Sequence, residues 1–435
     1  MLILREDTML GKIPGDWEAK PLKSLLSEHC AGDWGEDGGP NMARVLRSTN
    51  LTNDGRLDLD DIALRALPTQ TVELLAPKRY DILLERSGGG PGQPVGRVGF
   101  IEADMPGHAF SNFLHLLRPH AKAINPSFLG WVLYRVNQTG RVIRLEQQTT
   151  QMRNLHFRDY LTMHVPVPPP DEQAAIARIL DAVDTALERT RAAVARAREL
   201  DHSLLHDLLA RGLSPNRTGK RSHPAHWNVR RLDEVADVGS GVTLGKDVSG
   251  FKAVELPYLR VANVQDGHLD LSEIKTVRVR VDEVDGFRLE PGDVLMTEGG
   301  DLDKLGRGTI WEGQIPDCLH QNHIFRIRAD RELLEPTFFA LVVESDIAKR
   351  YFNRVAKRTT NLASTNKTQV RAFKFPVPPT TEEQREVAAI MKAAKAKLAG
   401  LLRKEHALAQ LKKSLMHDLL TGWVRVKTAA PAATP

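Results

Sequence analysis

The feature that most constrains this chain is that its landmarks occur twice, in the same order. Pro14, Trp17 and Leu22 return about 210 residues later as Pro224, Trp227 and Leu232. LRSTNLTNDGRLDLDDI (46–62) returns as LRVANVQDGHLDLSEI (259–274), with Arg47 and Asn50 matched by Arg260 and Asn263. YDILLERSGGG (80–90) is matched by GDVLMTEGG (292–300), and VPVPPPDEQ (165–173) by FPVPPTTEEQ (375–384). LLHDLLARG (204–212) is matched by LMHDLLTG (415–422). Solenoid repeats run to roughly 20–50 residues, so a period this long is a duplicated domain. A chain of 435 residues has room for two to three cores.

Each copy has two parts. The first carries short β-branched and aromatic runs between Gly, Pro and Asp-Gly turns, such as RVGFI (97–101), KTVRVRV (275–281) and HIFRIR (323–328). Their alternation predicts half-buried strands. The second part follows a proline cluster, Pro168 to Pro170 and Pro378 to Pro379, which cannot lie in a helix interior. DEQ and TEEQ then place carboxylates in a first helical turn, where the helix dipole favours them.

The pattern predicts a long helix over roughly 171–210 and another over 381–420. Ile176, Leu180, Val183, Leu187, Val194, Leu204 and Leu208 fall on alternating steps of four and three. Val387, Met391, Leu398, Leu401, Leu408, Leu415 and Leu419 do the same. That is a coiled-coil seam, interrupted in both copies at the equivalent Asp201 and Lys412. The simplest closed arrangement pairs the two helices antiparallel; parallel rods from two chains are the competing one. The expected class is α+β, with two duplicated strand- and loop-rich globular domains separated by an antiparallel coiled coil. The expected boundaries are 1–165 and 213–375 for the domains, 166–212 and 376–424 for the helices, and 425–435 for a flexible tail.

Composition narrows the function. A net charge of +5 permits nucleic acid as a partner, but the distribution says more than the total. From Lys349 to Lys374 there are eight basic residues and no acid; Arg135 to Arg158 holds five arginines against Glu146. The two runs occupy matching places in the repeat. Cys30 and Cys318 form no CxxC pair, which argues against a disulfide framework or cysteine zinc site and suits a reducing cytoplasm. No run of eighteen apolar residues occurs, and the N-terminus lacks a signal-peptide core, so the expectation is a cytoplasmic protein with no membrane partner.

A PxxW opening, a GDVLMTEGG-type strand and loop, a VPVPPPDEQ element and a long seamed helix ending in LLxDLLxG, then all of it again, resemble the Type I restriction-modification specificity subunits over essentially the whole length. That resemblance implies two target-recognition domains, each reading one half of a split DNA site. It implies docking of two modification subunits, which would carry S-adenosylmethionine, and of restriction subunits using ATP and Mg. No cofactor or metal is then expected on this chain, and no catalysis. The rival reading is a stand-alone DNA adenine methyltransferase with NPSF (125–128) as its catalytic motif. Its repeat partner is EPTF (335–338), without the Asn, and a proline at a helix start is the plainer account.

The DNA-binding residues expected on this reading lie in three places per copy. The glycine loop after the central strand offers Arg86, Ser87, Gly88 and Arg97, and in the second copy Glu298, Lys304 and Arg307. SGGGPGQPVG (87–96) lacks P-loop and GxGxxG spacing and reads as a flexible loop approaching a partner's backbone. The polar-basic stretch offers Arg144, Gln147, Gln148, Thr149, Thr150, Gln151 and Arg153. Its counterpart offers Arg354, Lys357, Arg358, Thr359, Thr360, Asn361, Asn366 and Lys367. Arg and Lys would neutralise phosphates, and Arg, Asn and Gln would read base edges. Arg47/Asn50 and Arg260/Asn263 recur in two domains that should read different sequences, which argues for phosphate contact or a structural role. His202 and His206, four apart on a helix, read as a polar or docking face. His320 and His323 fit a structural or a DNA-facing role.

Overall fold

The computed structural model describes residues 4–89, 93–148, 152–213, 223–300, 305–358 and 363–426. Two compact units emerge: Met1–Arg191 with Arg403–Pro435, and Ala192–Leu402. The first long helix is Pro170–Arg211 and the second Thr381–Leu420, close to the expected bounds. Pro170 opens the first helix at a position where its missing N–H is no loss.

Each unit is organised around a four-stranded antiparallel sheet. In the first the order is Leu26–Ala31, Leu114–Pro119, Ile82–Glu85, Val98–Phe100. In the second it is Ala236–Ser240, Ile324–Ala329, Val294–Thr297, Gly308–Ile310. Successive side chains on a strand point to opposite faces, and here both faces are covered. Ile82, Leu84 and Leu117 face one apolar cluster while Leu83, Leu114 and Leu116 face another. Val294, Met296 and Ile327 are divided from Leu295 and Ile324 in the same way. A strand buried on both sides needs an unbroken apolar run, which is why DILLE and DVLMT lack alternation.

The second long helix ends in the first core, and the first long helix ends in the second. Ile176, Leu180, Met416, Leu419 and Leu420 share one cluster with Trp17, Phe128 and Trp131. Leu205, Leu208, Leu209, Val387 and Met391 share another with Trp227, Phe338 and Phe375. Both ends of each long helix are thus packed into apolar cores. Seam residues Leu398, Leu401 and Leu408 are only half-buried.

The first turn of each long helix explains the repeated motifs. In the first unit the Trp17 indole donates to Glu172 at 3.1 Å. Gln173 accepts the Asn125 N–H at 2.7 Å and donates to the Pro168 carbonyl at 2.7 Å. In the second unit Trp227 donates to Glu383 at 2.9 Å, and Gln384 accepts the Glu335 N–H at 2.7 Å and donates to the carbonyls of Leu333 and Pro378. The glycines ending the helices, Gly212 (φ +65°) and Gly422 (φ +70°), pack on Pro224 and Trp227, and on Pro14 and Trp17. A Cβ on Gly422 would come within 2.4 Å of Pro14, so only glycine serves.

The expected tail needs correcting at its start. The Arg425 guanidinium donates to both Asp16 and Glu172, at 2.7–2.9 Å, and so belongs to the first unit. Residues 427–435 lie outside the described residues.

His320 is structural. It is fully buried, its Nδ1 lies 3.0 Å from the Phe287 carbonyl, and its Nε2 has no partner. Burial pushes its pKa down to about 4, with the Phe287 hydrogen bond opposing and Arg326 assisting. Because the folded pKa lies below the unfolded value near 6.5, stability is intact above pH ~6.5 and falls as pH drops towards 4. The loss should reach up to about 3 kcal/mol. His320→Asn keeps a donor but does not titrate. In urea unfolding at pH 7 and pH 4.5, the variant should lose less stability between the two than the parent.

Candidate nucleic-acid interface

In each unit a second, small sheet joins two of the places picked out in the sequence. In the first, Arg153–Leu155 is the middle strand, with Glu146–Gln148 on one side and Ser87–Gly88 on the other. In the second, Ala363–Ser364 is the middle strand, between Lys357–Arg358 and Gly299–Gly300. Segments about 60 residues apart in sequence become neighbours, Gly88 opposite Arg153 and Gly299 opposite Ser364.

The glycines are accounted for by this sheet. Gly88 has φ +131°, and a Cβ there would sit 3.2 Å from Glu85. A Cβ on Gly299 would meet the Ala363 carbonyl at 2.8 Å. The expectation of a flexible loop approaching a partner's backbone is therefore corrected at these positions: both are strand residues, and the backbone that Gly299 approaches is the chain's own. At Gly299 glycine is needed because the return strand passes too close for a side chain, and at Gly88 because its φ lies where side chains are rarely tolerated.

Arg86, Arg144 and Gln147 are exposed, as are Arg354, Lys357, Arg358 and Lys367. Where the first unit places Gln147 and Gln148 on its outer strand, the second places Lys357 and Arg358. The two sheets share a backbone and differ in charge. Ser87 Oγ donates to Asn154 at 2.7 Å. Arg153 is half-buried and held by Glu146 at 3.1 Å, and Glu146 also accepts the Val95 N–H at 2.8 Å. Arg358 donates to the Asn353 carbonyl at 2.7 Å, and Arg354 lies over the Tyr351 ring at 5.7 Å. Gln148 side-chain atoms, Thr149, Thr150, Gln151, Lys304, Thr359, Thr360 and Asn361 lie outside the described residues.

Three of the expected residues turn to the protein instead. Arg97 makes a two-pronged pair with the buried Glu85 (2.8 and 2.9 Å) and donates to the carbonyls of Ser48 and Leu51. Its repeat partner Arg307 is half-buried and donates to Gln265. Asn366 caps the helix Lys367–Arg371, accepting the Gln369 N–H at 2.9 Å. The recurring Asn50 and Asn263 are structural. Each accepts the N–H of its own arginine at 2.8 Å, and each donates to two carbonyls of the following turn, Asp58 and Asp61 or Asp270 and Glu273.

Sequence reasoning passed over Glu85, Asn154 and Ser364, which position the small sheets. Glu85 was hidden in an apolar run, and the other two have meaning only once the strands pair. Glu298 and His323 form a second contact near the glycine strand, at 2.6 Å. Asn125 caps Pro126–Gln138 by accepting the Phe128 N–H at 3.0 Å, so NPSF is a helix start. His202 and His206 are exposed, His202 lying 3.8 Å from Asp346. Among the described residues no group of three or more His, Cys, Asp or Glu could hold a metal, and no helix is long and apolar enough to cross a membrane.

A duplicated unit, a small polar sheet in each copy and helices linking the copies define a two-domain recognition scaffold. The chain matches the Type I restriction modification DNA specificity domain over residues 46–196 and again over 224–409, and it belongs to that family. It is 22% identical over 389 residues to the Type I restriction enzyme EcoKI specificity subunit of Escherichia coli K12, covering 86% of this chain and 81% of that one. It is 21% identical over 432 residues to the putative type I restriction enzyme MjaX specificity subunit of Methanocaldococcus jannaschii, covering 97% and 96%. Its fold is similar to the Type I restriction-modification S subunit from M. genitalium, with TM-score 0.57 and 17% identity, covering 93% and 96%.

Stability measurements separate the residues that hold the site from those it presents. Arg97→Ala leaves the Glu85 carboxylate buried and unpaired and should cost about 3–5 kcal/mol. Arg358→Ala removes an exposed side chain and should change stability by no more than about 0.5 kcal/mol. Urea unfolding of both variants against the parent is the check.

Proposed function

We propose that this chain is the DNA-reading specificity subunit of a Type I restriction-modification complex. It selects a two-part, asymmetric target and performs no chemistry itself. One observation carries the reading beyond family membership: the same small sheet is built twice, with Gln147 exposed on one copy and Lys357 and Arg358 on the other, and with Arg144 and Arg354 exposed in the helical segments just before them. Two readers on one backbone plan with different side chains suit two different half-sites. The domains 1–165 and 213–375 are the readers. Two modification subunits and the restriction subunits would dock on this chain and supply S-adenosylmethionine, ATP and Mg; this chain holds none of them.

The finer architecture belongs to the same proposal. The two long helices pair antiparallel as a coiled coil between the readers. In the first unit Asp184 meets Lys412, and Arg191 meets Glu405 at 3.4 Å, so numbers rise on one helix as they fall on the other. In the second unit Leu205 and Leu208 share a cluster with Val387 and Met391. Together with the four-three spacing, these contacts support the pairing.

Methylome sequencing of the host with and without this gene tests the function. A split motif should depend on the gene, and replacing residues 1–165 by the matching domain of a relative should change one half-motif alone. Loss of no motif would overturn the reading.

Replacing Arg354, Lys357 and Arg358 by Ala should weaken binding to DNA, measured with the modification subunits present. The slope of log affinity against log salt should fall by about 0.9 for each phosphate that is no longer neutralised.

A further inference from the structure

The apolar ends of the two long helices are interchangeable. Leu205, Leu208, Leu209 and Gly212 of the first occupy, in the second unit, the places that Met416, Leu419, Leu420 and Gly422 of the second occupy in the first unit. Apolar packing alone would let the first helix of one copy pair with the first helix of another.

Buried charge separates the options. In the first unit Lys412, 5% exposed, donates to Asp184 at 2.6 Å between the rings of Trp131 and Tyr134, each 4.9 Å away. Arg56 takes the other Asp184 oxygen at 2.5 Å. The repeat equivalents of Asp184 and Lys412 are Lys395 and Asp201, so the polarity is reversed. In the second unit Lys395 pairs with the largely buried Glu344, which also feels Asp201; one Asp201 oxygen is buried without a partner. The first helix thus carries two acids, Asp184 and Asp201, and the second carries two lysines, Lys395 and Lys412.

We propose that these four charges restrict each helix to the opposite helix, so that two copies of this chain do not pair like with like. In the register of Asp184 with Lys412, an antiparallel pair of first helices would set Asp184 against the Asp201 of the other copy. A pair of second helices would set Lys395 against Lys412. In each, one buried charge, Asp184 or Lys412, would face a half-buried charge of the same sign, which disfavours both. This rests on the helix pairing proposed above.

The test uses the full chain with Cys30→Ala and Ala193→Cys, because residues 192 and 193 come face to face only when two first helices pair in that register. After refolding at high concentration and mild oxidation, chains linked through position 193 are counted on a non-reducing gel. The parent should show few. Asp201→Lys with Lys395→Asp keeps the helix-to-helix pairs opposite in sign, with the lysine at position 201 taking over from Lys395 as the cation near Glu344, and makes like-with-like pairs opposite too, so linked chains should rise at least tenfold. Asp201→Ser with Lys395→Ser perturbs the same sites without creating attraction and should fall between. Equal linkage in the last two would mean that loosening, not charge, governs exchange, and would overturn the proposal. So would no rise in either. Lys412→Asp checks the pairing beneath it: an unchanged urea midpoint would sink the coiled coil itself, whereas a lowered midpoint without the graded linkage would sink only the charge selection.

Discussion

A glutamate and a glutamine in the first turn of each long helix hold together pieces of chain that are otherwise remote. Glu172 and Gln173 gather the Trp17 indole, the helix start at Asn125 and the proline cluster at Pro168. Glu383 and Gln384 gather Trp227, Glu335 and Pro378. All four lie at or near the interior, where an unpaired amide or carboxylate would be costly, and their partners are mostly fixed backbone groups. The start of each helix is therefore fixed to the domain that precedes it.

The two junctions are not copies in charge. Beside Glu172 stands Arg425, itself shared with Asp16. Beside Glu383 stands His226, at 3.1 Å and the repeat equivalent of Asp16. A permanent guanidinium bound to two carboxylates at one end and an exposed imidazole at the other make similar joints by different means. The same contrast recurs along the helices, where acid on one and lysine on the other give the duplication a direction. Duplication supplies two equal frames, and substitution at a few buried or facing positions makes them unequal.

That inequality matters most at the small sheets. Their backbone is set by Gly299, which tolerates the close return strand, by Gly88 at its positive φ, and by Arg97 and Arg307, which bind inward to Glu85 and Gln265. Because those arginines brace the frame, the side chains that vary between copies can do so without endangering the fold.

The sequence by itself determined the duplication, the two long helices and their bounds, the absence of a cysteine framework, and the family. Each of these is written in local order and spacing: proline then carboxylates, apolar residues every four and three, landmarks returning in sequence. It also singled out the two segments of each copy that meet in the small sheet, though as separate stretches. Only the tertiary structure decided that they are neighbours, because Gly88 and Arg153 pair across some 65 intervening residues and no local signal encodes that register. It likewise decided which arginines face outward: Arg97 and Arg358 are alike as letters, and a buried Glu85 within reach of one of them turns it inward. Of the reversed charges at Asp184/Lys412 and Lys395/Asp201, only Asp201 and Lys412 were visible as breaks in an apolar seam. Their meaning came from the partner that packing sets opposite.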